Sequence, residues 1–310
     1  MQYSTPASGI ADMSATPALA ITYKVPKKRR PVAAFITRQP LGAMGLAIIL
    51  VMIFAAISAN WIAPYDPLAV DYGNLLAKPS SGHWLGTDSY GRDVLTRVIY
   101  GARTALAVGF LSSLLGSMLG AVIGVASAYF GGKIDLVIQR LMDVILSFPI
   151  IVLALAMAAI LGKNIVFGID VNLIIAIATP MVPAVARVVR SSALAIRELP
   201  YIDAARTAGF SHLRIIFRHI IPNVMAPFLI MLTAFVGQAI LLEASLSFLG
   251  LGVTEPTPAW GLMLTGAAAD FYQQAPWMIV FPGLAISLAV FAFNLFGDSL
   301  RDWLDPKIKI

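Results

Sequence analysis

Cysteine is absent from this chain of 310 residues, and only 12% of its residues are charged. The first absence excludes disulfides, thiolate metal sites and a cysteine nucleophile. The second excludes an ordinary soluble domain, in which about 25% of residues are charged and roughly 45–50% apolar. Here the apolar share is 59%. The Gly-x-x-x-x-Gly-Lys-[Ser/Thr] phosphate loop is missing too. Gly131-Gly132-Lys133 is only a glycine pair between apolar runs, so the chain is not expected to hydrolyse ATP by itself. There are only three histidines, with no metal-ligand spacing among them: His83 falls on one side of the membrane, His212 and His219 on the other, the latter two seven apart on a partner-facing or solvated surface. No metal and no bound cofactor are expected, and a membrane enzyme with converging His, Asp or Ser groups finds no support.

What the chain has is long apolar runs. A helix crosses the hydrocarbon with about 20 mostly apolar residues. Six runs qualify: Leu41–Ile62, Thr104–Phe130, Val137–Leu161, Val171–Val189, Pro222–Leu251 and Ala275–Leu300. The expected fold is an all-α polytopic membrane protein with six transmembrane helices. Of the 22 lysines and arginines, seventeen lie on the side that holds both termini, and five (Lys78, Arg92, Arg97, Arg103 and Lys163) on the other. Basic residues favour the cytoplasmic side, so both termini are expected to be cytoplasmic. The net charge of +6 is thereby explained without nucleic acid.

Residues 1–40 read as a disordered basic tail ending in Lys27-Lys28-Arg29-Arg30 and an orientation signal. The first span is longer than a signal-peptide core and reads as an uncleaved anchor. In residues 41–102 it is followed by an extracytoplasmic segment. There Thr87 or Asp88 is expected to cap a short surface helix carrying Val94, Leu95, Val98 and Ile99. Residues 303–310 form a second cytoplasmic tail.

Within the spans, Gly116, Gly120 and Gly124 are four apart, line one helix face, and predict close packing of a neighbour. Pro149, Pro180, Pro183, Pro227 and Pro282 predict breaks or bends. Glu243 is the one carboxylate near a span centre, where a charge costs around 3 kcal/mol and should face a partner or water. It is a candidate for the translocation path, or for a proton site, or for a structural hydrogen bond. Asp143 and Asp298 lie near span ends.

The polar interruption Arg187–Ile221 carries six arginines and two acids between two spans. Pro200 and Asp203 should start a short helix, with the acid near its positive end. Ala204, Ala205 and Ala208 give it low relief, and Gly209 should stop it. Ser211 should cap a second helix leading to Pro222 and the fifth span. Helix, glycine knuckle, helix is a shape that a partner's cleft can grip.

These residues resemble a known family. Asp203-Ala204-Ala205, then Gly209, then Ile221-Pro222, is similar to the EAA loop of type I ABC importer permeases. Asp203, His219 and Ile221 stand where that family usually has glutamate, isoleucine and leucine. Further segments resemble the second permease subunit of dipeptide, oligopeptide, nickel and glutathione importers. They are Leu85-Gly86-Thr87-Asp88-Ser89-Tyr90-Gly91-Arg92-Asp93, Tyr100-Gly101-Ala102-Arg103, Leu246 through Gly252, Pro256-Thr257-Pro258-Ala259-Trp260-Gly261, Phe281 through Ala285, Phe293 through Asp298, and Leu304 through Lys307. Ala259 stands where an acid is common.

The resemblance implies a type I ABC importer (MetI-like) transmembrane domain over residues 103–302, with a cytoplasmic coupling loop at 190–221. It implies a heterodimer with a homologous permease subunit in the cell inner membrane, two ABC ATPase subunits holding ATP and Mg, and an extracytoplasmic solute-binding protein. The coupling residues would be Asp203, Ala204, Ala205, Gly209 and Pro222. The expected activity is alternating-access import of a peptide or related small solute. Nickel, glutathione or another small solute is the alternative cargo. A stand-alone secondary transporter is the competing class, and it needs intramembrane charge pairs of which only Glu243 is seen.

Overall fold

The computed structural model describes residues 31–166 and 168–304. It is almost wholly helical: α1 (Pro31–Arg38), α2 (Pro40–Ile62), α3 (Val94–Phe130), α4 (Gly132–Leu146), α5 (Ile150–Leu161), α6 (Val171–Ala178), α7 (Val182–Arg197), α8 (Pro200–Thr207), α9 (His212–Ile215), α10 (Ile221–Phe248), α11 (Trp260–Met263), α12 (Ala267–Asp270) and α13 (Trp277–Leu304). A two-residue hairpin, β1 (Ile165–Val166) against β2 (Ile169–Asp170), links α5 to α6.

Five stretches among the described residues are long and apolar enough to cross a membrane: Pro40–Ile62, Val94–Phe130, Val171–Arg197, His212–Phe248 and Trp277–Leu304. The expected third span, Val137–Leu161, is not straight. It breaks into α4 and α5, which meet at 92°. Pro149 is the reason: it cannot donate a helical hydrogen bond and disfavours helix in the residue before it. Ser147 ends α4 and Pro149 precedes α5. With 12 residues, α5 is about 18 Å long, less than the ~30 Å hydrocarbon. The described residues thus hold five spanning helices, and six crossings only when this bent pair is taken as one span.

Other boundaries move as well. The short surface helix does not exist separately: Val94, Leu95, Val98 and Ile99 are the first turns of the 37-residue α3, and its cap is Asp93, whose carboxylate accepts the Thr96 N–H, rather than Thr87 or Asp88. The fourth span continues from α6 through a 3-10 turn at Thr179–Met181 into α7. Pro180 and Pro183 sit in the first positions of their segments, where no N–H is needed. The fifth span begins at His212, not Pro222. A π turn, Ile216–Ile220, joins α9 to α10, with the Ile221 N–H bonded to the Ile216 carbonyl. Widening to an i→i+5 pattern accommodates Pro222, which offers no N–H to the turn before it.

Residues 1–30 of the expected disordered tail, and 305–310 of the expected C-terminal tail, lie outside the described residues. Residues 31–38 are helical. Phe35 is buried with its ring 6.2 Å from Phe296 and 6.0 Å from Trp303, an apolar anchor for α1.

The glycine row on α3 packs as its spacing predicts. A Cβ at Gly116, Gly120 or Gly124 would lie 2.9, 2.6 or 2.5 Å from the carbonyls of Ala178, Val182 and Ala186. That close approach seats α7 on α3 and builds the main core from Val125, Ala128, Val185 and Val189. Gly109 similarly admits Ile240 of α10. Outside this core the helices expose large apolar side chains, among them Phe54, Val122, Val137, Ile160 and Leu288. Such continuous apolar surface requires lipid or another subunit.

Candidate functional site: a clamped helix at one end of the bundle

The candidate site is α8 and its supports. Pro200 opens α8, Ile202 is fully buried and Ala205 nearly so, both in the main core with Ile215, Ile220 and Val224. Asp203, Ala204, Thr207 and Ala208 form the opposite, exposed face. One side of a two-turn helix is thus fixed to the bundle while the other presents small side chains and one carboxylate. That carboxylate accepts from Arg206 Nη1 at 2.8 Å. Both groups are exposed, so the pair contributes less than about 1 kcal/mol.

The end of α8 is a complete Schellman motif. The Gly209 N–H donates to the Arg206 carbonyl at 3.0 Å, and the Phe210 N–H to the Ala205 carbonyl at 3.1 Å. Gly209 has φ +78°, and a Cβ there would meet nothing within 4 Å. Its requirement for glycine is therefore conformational, with no crowding. Ser211 caps α9 as expected: its hydroxyl accepts the Arg214 N–H at 3.4 Å.

Beneath the knuckle lies an aromatic clamp that the sequence pattern did not reveal. Phe210 stacks on His219 at 6.3 Å, and the Arg214 guanidinium lies 4.1 Å from the Phe210 ring centre. Tyr201 packs 5.9 Å from His219. Asn223 donates to the His219 carbonyl at 2.6 Å and to the Tyr201 hydroxyl at 3.4 Å. His219 thus faces inward, and its Nε2 is buried without a partner among the described residues. His212 is bonded through Nδ1 to the Tyr129 hydroxyl at 2.8 Å, at the end of α3. The expected solvated or partner-facing surface fits His212, which is exposed, but not His219, whose ring is turned towards Phe210 and Tyr201 with Nε2 buried. Pro222 is exposed just beyond the clamp, on the first turn of α10.

Ion pairs connect this end to the broken passage. Arg190 donates through Nε and Nη2 to both oxygens of Asp135, at 2.6 and 2.5 Å, and Arg187 donates to Asp143 at 2.7 Å. Arg197 donates to the Ala128 carbonyl at 2.8 Å. The helix before α8 is thereby tied to α3 and α4.

Glu243 lies far along α10, 1% exposed. Its carboxylate accepts the Ser247 hydroxyl at 2.7 Å, one turn on. The same hydroxyl accepts the Val253 N–H at 3.0 Å. Glu243 is therefore remote from α8 and linked through the Ser247 hydroxyl to the loop after α10.

A second polar cluster occupies that far end. Arg92 is bonded to Asp88 and Glu255, and Arg97 lies beside them. Burial works to lower the Arg92 pKa, but the hydrogen bonds and charges of Glu255 and Asp88 outweigh it and hold the pKa above its ordinary value. Asp88 and Arg92 were visible in the sequence as part of one segment. Glu255 joins them from far along the chain, a pairing that linear spacing does not carry.

Residues 93–310 match the family described as "Binding-protein-dependent transport system inner membrane component", and residues 36–79 match the "N-terminal TM domain of oligopeptide transport permease C". The chain belongs to the binding-protein-dependent transport permeases. It is 43% identical over 267 residues to a putative peptide transport system permease protein of Brucella suis, covering 86% of this chain and 88% of that one. It is 44% identical to a dipeptide transport system permease of Alkalihalophilus pseudofirmus, with 88% of each chain covered. Identity is 45% over 273 residues to a glutathione transport system permease of Escherichia coli, again with 88% of each covered. Among solved structures, an inward-facing methionine ABC transporter shares the fold, with TM-score 0.52 and 18% identity over 67% of this chain and 97% of that one. This permease is a multi-pass membrane protein of the MetI-like type, a membrane component rather than an enzyme.

Proposed function

We propose that this permease works in an ATP-driven importer of peptides or closely related small solutes, with α8 as the element that receives mechanical input from partner ATPases. The observation that carries the reading is the split character of α8: Ile202 and Ala205 rooted in the core, Asp203, Ala204, Thr207 and Ala208 exposed, and a Schellman knuckle at Gly209. A cleft that grips such a helix moves what it is rooted in. The continuous helical rod from His212 to Phe248 starts at this point and spans about 55 Å, so tilt at α8 is delivered to the opposite end.

In this reading the α8 end and both termini are cytoplasmic, as the basic residues favour. ATP and Mg reside in two ATPase subunits, a homologous permease covers part of the apolar face, and a solute-binding protein approaches the far end. Glu243 is a candidate path residue: Ser247 bonds both its carboxylate and Val253, so displacement of the loop after α10 would change the hydrogen bonding of the hydroxyl that Glu243 relies on. The peptide reading is supported by the names of the peptide and dipeptide relatives, and glutathione transport stands as the alternative cargo on the same ground.

Purification of the tagged chain in mild detergent, with mass spectrometry of its companions, tests the assembly. A homologous permease with phosphate-loop ATPases is expected. A chain that purifies alone and still moves solute in vesicles would replace the reading with a secondary transporter.

A further inference from the structure

At the end of the molecule opposite α8, the segment before α3, the loop after α10, and helices α11 to α13 enclose a cavity of about 240 Å³. Two arginines line it. Arg92 is well satisfied: Nε donates to Asp88 Oδ2 at 2.6 Å, Nη1 to Glu255 Oε2 at 2.8 Å and Nη2 to Glu255 Oε1 at 3.4 Å. Arg97 is not. Its side chain is 1% exposed, yet its contacts are 3.3 Å to the Pro67 carbonyl, 3.5 Å to Glu255 and 3.9 Å to Asp88. A guanidinium paired with a carboxylate normally makes contacts of about 2.7–2.9 Å, often two at once. Arg97 is therefore bonded only through long contacts beside the cavity, and its charge is balanced by Glu255 and Asp88.

Glu255 differs from the other members of the cluster. Its side chain is 49% exposed, against 10% for Asp88 and Arg92, and it projects from a loop. Two arginines face two acids, so the cluster is neutral with Glu255 in place and carries one uncompensated positive charge without it. Another carboxylate could replace Glu255 without changing the charge, and could approach Arg97 more closely. The cavity is smaller than the roughly 300–1,000 Å³ of a drug-sized pocket, so it suits an end group or a side chain rather than a whole peptide.

We infer that this cavity is a carboxylate-binding site in which Glu255 is the resident, displaceable ligand of Arg92 and Arg97. Exchange frees the Glu255 end of the loop 249–258 from Arg92 and Arg97, while the Thr104 hydroxyl still holds the Pro258 carbonyl to α3. That loop continues directly from α10 and carries Val253, whose N–H donates to the same Ser247 hydroxyl that donates to Glu243. Arrival of a carboxylate at the extracytoplasmic end thus loosens the end of the same rod that begins at α8. The incoming group is either the carboxylate of a free solute or an acidic side chain of the solute-binding protein, and both present the same chemistry to the arginines.

The experiment uses the intact complex in nanodiscs. Ala268, a buried residue of the cavity wall, is replaced as Ala268→Cys in a chain that has no other cysteine, and the labelling rate of this chain by a small maleimide is read. Glu255→Ala is expected to raise that rate several-fold. Propionate should then slow it again, while propionamide, of the same shape but uncharged, should not. Adding Arg97→Met should abolish the protection. If Glu255→Ala prevents assembly, Glu255→Gln gives the same comparison.

Protection of the Glu255→Ala complex by dialanine alone would assign the carboxylate to free solute. Protection by the solute-free binding protein alone would assign it to a protein side chain. An unchanged rate in the Glu255 variant, equal action of propionate and propionamide, or protection by neither biological source would overturn the proposal. The source arms rest on the import reading. Failure of that reading appears separately, as an absence of ATPases and permease on co-purification.

Discussion

The carbonyl of Ala205 accepts the N–H of Phe210 at 3.1 Å, closing the turn that ends α8. One residue of this pair lies in the core and the other supports the aromatic clamp with His219 and Arg214. A single backbone bond thereby fixes how far the exposed face of α8 stands out from the bundle.

Gly209 permits that turn. A branched residue at φ +78° costs about 1–2 kcal/mol. Gly209→Val is expected to insert and assemble normally but to lose most ATP-coupled uptake, measured in proteoliposomes against membrane abundance. Normal uptake would end the proposed coupling role of the knuckle.

Asp203 is exposed, and its pair with Arg206 contributes little to stability. Asp203→Lys should leave the melting temperature within a degree or two while lowering the amount of ATPase that co-purifies. Unchanged ATPase recovery would remove Asp203 from the contact.

Gly120 gives the opposite pattern. A Cβ there would lie 2.6 Å from the Val182 carbonyl and 2.7 Å from Val185, both on the packed face of α7. Gly120→Leu should force α3 and α7 apart and cost at least about 1–3 kcal/mol, the usual range for overpacking. Thermal stability in detergent should fall and folded yield with it. A wild-type melting curve would refute the close approach.

Glu243→Gln keeps an acceptor for the Ser247 hydroxyl through the amide carbonyl. An unchanged melting temperature with reduced uptake is expected if the carboxylate serves the solute path. Full uptake would leave Glu243 with its hydrogen bond alone. Glu243→Ala, which removes the acceptor and leaves a cavity, should lower the melting temperature by itself.

Much of this architecture was legible in linear order because its causes are local. Apolar length marks the spans, Pro200 and Gly209 bracket α8, and the four-residue glycine spacing marks the α3 face that receives α7. The failures were also physical. Pro149 announced a bend, but its 92° size depends on what α4 and α5 pack against. Asp93 rather than Asp88 caps α3, because the helix starts at Val94 and only Asp93 stands next to its free N–H groups. His212 and His219 share helical spacing, yet only His212 is exposed, while His219 turns its Nε2 inward beside Phe210.

By itself the sequence determined that this is a helical membrane protein with a polar helix–glycine–helix element between two spans, since hydropathy and backbone preference act over neighbouring residues. Only the tertiary structure decided which face of α8 is presented, that His219 lies beneath it, and that Glu255 closes on Arg92 and Arg97. The last of these joins groups more than 150 residues apart in the chain. Their energies exist only once desolvation and close packing place them in contact.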